Sequence, residues 1–222
     1  MLKYFISILL ITTSLNLSSQ ENDLLDTIPI KTTYGIKLGI DLSKQIRMLT
    51  ESNYRGLVIT GDYRVFNKLF LAAEFGSEEK KVTNEILDFN TQGSFLKLGV
   101  NYNVYKNRKG LENEIYVGFR YGIANFSHKL NSYKIYDLDH YWNQNLANNS
   151  TDFKNLNASW VEFVLGFNAE VLKNIYMGLS LRLNRLLNQK TPKNFSNLYI
   201  PGFNKVLEEN SLGVGISYSI LV

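Results

Sequence analysis

Ser127 and His128 stand side by side, with Glu162 and Asp137 as acids further along the chain. A serine, a histidine and a carboxylate are the parts of a hydrolase triad: the imidazole takes the serine proton and the acid orients the imidazole. Neighbours on an extended chain point to opposite sides, so Ser127 and His128 do not reach each other. His128 reads instead as an exposed loop residue. His128, Asp137, Asp139 and His140 are a second group able to do chemistry, as metal ligands. Their spacing matches no recurring ligand set, so no metal site is expected. There is no Cys, which excludes disulfides, thiolate catalysis and Cys-based zinc sites together. Gly213 and Gly215 flank Val214 without a following helix, so they are not a phosphate loop. The expectation is a chain with no catalytic residue, no cofactor and no enzymatic activity.

A larger set of polar groups falls on one side of a repeated pattern. Tyr34, Ile36, Leu38, Ile40 and Leu42 alternate with Gly35, Lys37, Gly39 and Asp41, the period of two that marks a strand with unlike faces. The pattern returns near residues 54–65, 69–76, 94–105, 114–125, 158–171, 175–185 and 211–221. Most of these segments are ~9–12 residues, the length a tilted strand needs to cross a bilayer. Short connections at 66–68, 106–113 and 172–174 alternate with longer polar stretches at 43–53, 77–93, 126–157 and 186–210. Tight turns at one end and long loops at the other are the outer-membrane arrangement. The fold class that follows is all-β: a single up-and-down antiparallel β-barrel of about eight strands.

The chain is laid out as one such domain, residues 33–222, behind a polar lead-in, residues 20–32, and a signal peptide, residues 1–19. Lys3 supplies a short positive region, Tyr4 to Ile11 an apolar run too short to span a bilayer, and Ser18 and Ser19 a small-residue cleavage point. The net charge of +4 is spread along the chain, which gives no nucleic-acid footprint.

The polar side of the alternation decides which face is inside. It carries Asp41, Asp62, Glu74, Glu114, Glu162 and Glu170 with Lys37, Arg64, Lys97, Arg120 and Arg182, together with eleven of the 15 Gly. Balanced charges each need a partner when enclosed. Glycine weakens a strand and is wanted where space is short. Both point to a narrow lumen, with the apolar side turned to lipid. By height above the short turns, Glu74, Lys97, Arg120, Glu162 and Arg182 are expected to form an interior ion-pair network that closes the lumen. A soluble periplasmic barrel of lipocalin type, with the apolar face lining a ligand cavity, is the alternative. A lipid-modifying envelope enzyme ranks third.

The stretches YGIKLGIDLSK, YRGLVITGDYRV, AAEFG, GSFLKLGVNYNVY, IYVGFRYGIANFSHKL and ASWVEFVLGFNAEVLKNIYMGLSLRL, with the loop IPGF before the last strand, resemble an uncharacterised family of Bacteroidota outer-membrane-type barrels, the domain of unknown function 6048 family. The resemblance covers nearly the whole chain after the signal peptide and implies a barrel in the cell envelope. It implies no activity. Function is therefore expected in the outer loops, where Tyr133, Tyr136, Tyr141 and Trp142 form a candidate interaction surface. The partners expected are outer-membrane lipid, the barrel-insertion machinery during assembly, and an unidentified surface ligand or protein.

Overall fold

The computed structural model describes residues 35–105, 112–134, 146–147, 150–193, 195–206 and 211–222. Eight strands carry the architecture: β1 (Ile36–Asp41), β2 (Tyr54–Arg64), β3 (Leu69–Thr83), β4 (Leu87–Asn103), β5 (Glu114–Lys134), β7 (Thr151–Leu172), β8 (Ile175–Gln189) and β11 (Leu212–Leu221). Each pairs antiparallel with its sequence neighbour among the eight. The pairing of β1 with β11 and of β4 with β5 leaves no gap in the ring. Closure of this kind removes the free sheet edges that would otherwise invite aggregation. The two-residue strand β6 (Leu146–Ala147) adds to the far end of β5, and a small hairpin, β9 (Tyr199–Ile200) with β10 (Asn204–Lys205), lies in the β8–β11 connection.

The faces follow the period of two. Ile36, Leu38, Leu57, Ile59, Leu71, Phe75, Leu98, Ile123, Phe163, Leu181, Val214 and their like are exposed around the outside. Glu74, Lys97, Arg120, Glu162 and Arg182 are buried within. Lys173 and Asn174 turn β7 into β8, and Asn174 takes the left-handed conformation at φ 63° that Asn tolerates better than most residues. At the other end, the Asn84 side chain accepts from the backbone N–H of Ile86 and of Leu87, closing the β3–β4 hairpin as an Asx turn.

All four stretches expected as long loops contain described structure, residues 186–210 through the end of β8 and the β9–β10 hairpin. Residues 43–53 contain a nine-residue helix, α1 (Leu42–Thr50), capped by the Asp41 carboxylate on the Ser43 N–H. Within residues 77–93, β3 runs on to Thr83 and β4 begins at Leu87. Within 126–157, β5 continues to Lys134 and β7 starts at Thr151. The reason is chemical. Beyond Phe75, Leu96 and Ile123 the outward residues become Ser77 and Glu79, Ser94 and Gln92, and Asn125 and Ser127. On β3 the alternation there runs between two polar faces, and on β4 and β5 it is inverted, with Phe95, Phe89, Ala124 and Phe126 turned inward, so the outward apolar run that marks a strand ends early.

Candidate functional site

Five strands each bring one charge to the middle of the lumen: Glu74 from β3, Lys97 from β4, Arg120 from β5, Glu162 from β7 and Arg182 from β8. Glu74 lies opposite Lys97 in the ladder, and Arg120 lies opposite Glu162. Across the lumen Arg182 Nη1 reaches Glu74 Oε2 at 2.6 Å, Arg120 Nε is 3.0 Å from Glu74 Oε1, and Lys97 Nζ is 2.7 Å from Glu162 Oε1. The longer contacts, Lys97 to Glu74 at 3.8 Å and Arg182 to Glu162 at 3.6 Å, join these pairs into one layer. The Trp160 indole N–H donates to the same Glu162 oxygen at 2.7 Å. The five residues named from sequence are thus brought together. Three cations compensate two carboxylates, with one positive charge in excess: each carboxylate meets at least two cations, and an enclosed carboxylate keeps its ionised form only with such partners.

Glycine makes the layer fit. Lys97 lies opposite Gly122, Arg120 opposite Gly99 and Arg182 opposite Gly215. Trp160 also lies against Gly122, where a Cβ would come within 2.4 Å of the indole. The glycine-rich face is therefore a set of slots beside long side chains. Two small cavities flank the layer, ≈30 Å³ toward Lys44 and Asn204 and ≈20 Å³ toward Asp62 and Asn168. Each has room for about one water.

A second constellation closes the half of the lumen away from the short turns. The β9–β10 hairpin inserts Ile200, Phe203 and Val206 among Val58, Phe95, Leu156, Trp160 and Leu186, all buried. Gly202, at φ +80°, lies against the Phe95 ring, where a Cβ would stand 2.5 Å from the ring. Glu78 holds this plug: its carboxylate takes Lys44 Nζ at 2.8 Å, the Tyr199 hydroxyl at 2.6 Å and the Gly202 N–H at 3.2 Å. Glu78 lies beyond the outer apolar residues of β3. Burial would raise its pKa, but the Lys44 charge and the three hydrogen bonds hold it down to about 2. Arg47 of α1 bonds Glu51 at 3.0 Å and Asn204 at 3.1 Å and lies over the Tyr54 ring. Lys80 also pairs with Glu51. The helix and the hairpin are thereby tied to each other and to the wall.

His128 is not an exposed loop residue. It is 1% exposed, on a part of β5 above the outer apolar residues. Its Nδ1 is 2.6 Å from Thr91 Oγ1 and its Nε2 3.0 Å from Asn197 Oδ1, with Phe89, Phe126 and Phe195 around it. Parity buries it, because the strand continues where a loop was expected. Burial lowers its pKa to about 4, against a smaller opposing effect of the Asn197 bond. Its ring nitrogens meet a hydroxyl and an amide, so it is not part of a serine–histidine–acid set.

Among the expected surface aromatics, Tyr133 is 37% exposed at the far end of β5. Tyr136, Tyr141 and Trp142 lie outside the described residues, as do Asp137, Asp139 and His140. Among the described residues no group of His, Asp and Glu is arranged to hold a metal. At the short-turn end, Lys37 pairs with Glu114 at 2.7 Å and Arg64 with Glu112 at 3.3 Å. The plug residues Lys44, Arg47, Glu78, Tyr199 and Gly202 were not anticipated as a site. They fell in stretches read as outer loops, and the motif IPGF was the one local signal of an ordered turn there.

None of the curated proteins matches the sequence. Among solved structures, the chain is similar to the crystal structure of Ail, the attachment invasion locus protein of Yersinia pestis. The identity is 8% and the TM-score 0.39, over 84% of this chain and 92% of that one. A family model described as Domain of unknown function (DUF6048) matches residues 1–221, and the chain belongs to that family.

Proposed function

We propose that this chain is an exported outer-membrane barrel without enzymatic activity. Its lumen is closed twice, by the charge layer and by the hairpin plug, and it acts in envelope structure or in surface binding through its outer rim. The observation that carries the reading is the inversion of faces. Every one of the eight strands turns apolar side chains outward, with Leu212 76% and Val214 74% exposed, while ion pairs fill the inside. In water so extended an apolar surface would drive association. Against hydrocarbon it is the stable arrangement. Residues 1–19 serve as the export signal in this reading, lipid is the surrounding partner, and assembly depends on the barrel-insertion machinery. A periplasmic ligand carrier of lipocalin type would need the opposite orientation of every strand.

Fractionation of native cells, combined with protease treatment of intact cells, tests the proposal. It expects the protein in the outer membrane, with cleavage confined to residues 126–157 and the neighbouring rim. Recovery as a soluble, protease-protected periplasmic protein would overturn it.

A further inference from the structure

On β8 a cation interrupts the outward apolar run. On β8 the outward residues run Ile175, Met177, Leu179, Leu181, Leu183 and then Arg185, with Leu187 beyond it. Across the ladder Arg185 faces Val161 of β7 and Leu212 of β11. Among the described residues it makes no hydrogen bond or ion pair. A guanidinium on the lipid face costs ~2–4 kcal/mol at the bilayer midplane and little near the interface, where it finds headgroups. Ten residues above the β7–β8 turn, Arg185 stands roughly 25 Å up a tilted strand, near the outer boundary of the hydrocarbon.

Next to it the wall changes chemistry. Ser159 and Asn188 are ladder partners just above the Val161–Arg185 pair, and Asn157 and Asn125 are partners further along β7 and β5. These four side chains make no hydrogen bond to another described residue. With Leu96 and Ile123 they line an open cavity of ≈400 Å³ on the outside of the barrel. Arg185, without a partner among the described residues, adjoins the Ser159–Asn188 edge of this cavity, where uncharged donors and acceptors stand beside an apolar floor.

We propose that this patch seats the phosphate-bearing headgroup of an outer-leaflet lipid. Arg185 pairs with the phosphate, and its planar fork suits two phosphate oxygens at once. Asn188, Ser159, Asn157 and Asn125 hydrogen-bond the neighbouring polar groups, and an acyl chain lies on Leu96 and Ile123. The inference rests on the membrane reading above and adds a lipid class and a site to it.

The test reconstitutes the whole chain, without its signal, into vesicles holding equal amounts of phosphatidylglycerol and a monoglucosyl diacylglycerol, which has no phosphate. Retained lipid is then read by native mass spectrometry. The wild type is expected to keep phosphatidylglycerol preferentially. Arg185→Leu is expected to lose about ten-fold in that preference, the size of one charge-assisted contact, and Arg185→Lys to keep part of it. Leucine suits the lipid-facing wall, so the variant should fold, and the altered gel mobility of folded barrels before heating verifies it. Equal retention by wild type and Arg185→Leu would overturn the site. A wild-type preference for the glucosyl lipid would overturn the phosphate assignment. Failure of the wild type to enter vesicles at all would instead overturn the membrane reading, and the two failures are distinguishable.

Discussion

Glu74 holds more of the lumen together than any other single side chain, because Arg120, Arg182 and Lys97 all lie within 4 Å of it. Removing one partner from an enclosed ion network is costlier than removing both, since a charge is left without compensation. Glu74→Gln is therefore expected to lower unfolding stability by about 3 kcal/mol, measured by urea titration of the reconstituted barrel. The paired change Lys97→Met with Glu162→Leu removes one charge of each sign and is expected to cost clearly less than Glu74→Gln. If the single and paired changes cost the same, the layer is not an electrostatic unit. These residues were legible in the sequence because they lie where the opposite face is apolar, so parity identifies each of them. Glu78 obeys the same parity and was missed. Its outward neighbours Ser77 and Glu79 are polar, and the alternation carries no contrast there. Nor could pattern reading pair Glu78 with Tyr199, more than a hundred residues along the chain.

At the level of elements, the β9–β10 hairpin is a separate piece fastened into a finished ring. Gly202→Ala introduces a methyl at φ +80° and against the Phe95 ring, two penalties that together are of order 1–3 kcal/mol. The expected result is faster protease cleavage within residues 195–206, with the ring itself still resistant. The same segment carries Asn197, which bonds His128. The folded pKa of His128 is about 4, below the ordinary ~6.5, so the less folded state binds the proton more readily between those values. Its contribution to stability is full above about pH 6.5 and falls as the pH drops toward 4. Cleavage of residues 190–206 should therefore increase over that interval in the wild type. In His128→Asn the increase should be smaller, and an identical pH profile would exclude His128 as its source. Glu78 adds a second dependence at lower pH. Its depressed pKa stabilises the plug above about 4.3 and that stability is lost as pH falls toward 2. Element boundaries were the least legible level of the sequence. β3, β4, β5 and β7 all continue past the point where their outward residues turn polar, and α1 occupies a stretch read as loop.

For the whole molecule, the two closures are in series. Deleting residues 199–205 removes the apolar plug and leaves the layer of Glu74, Lys97, Arg120, Glu162 and Arg182 in place. In planar bilayers the wild type is expected to give no steady ion current, and so is the deletion. A steady current through the deletion alone would mean that the hairpin, and not the charge layer, is the seal. The fold as a whole was the most legible level, because eight alternating segments with short turns at one end allow few arrangements besides a closed ring.

The ring is also lopsided. β5 and β7 run 21 and 22 residues, while β1 has 6 and β11 has 10. From Ile123, where the apolar side of β5 ends, eleven further residues carry the strand up to Lys134. At ~3.3 Å per residue and a typical tilt that is roughly 25 Å. On the opposite arc the strands stop early, and α1 and the hairpin sit low beside them. Viewed from the end away from the short turns, such a barrel is a half-palisade with a compass bearing. A visiting protein meets a sheet face from one azimuth and a shallow step from the other, so any docking would also fix the rotation of the barrel in the plane of the membrane.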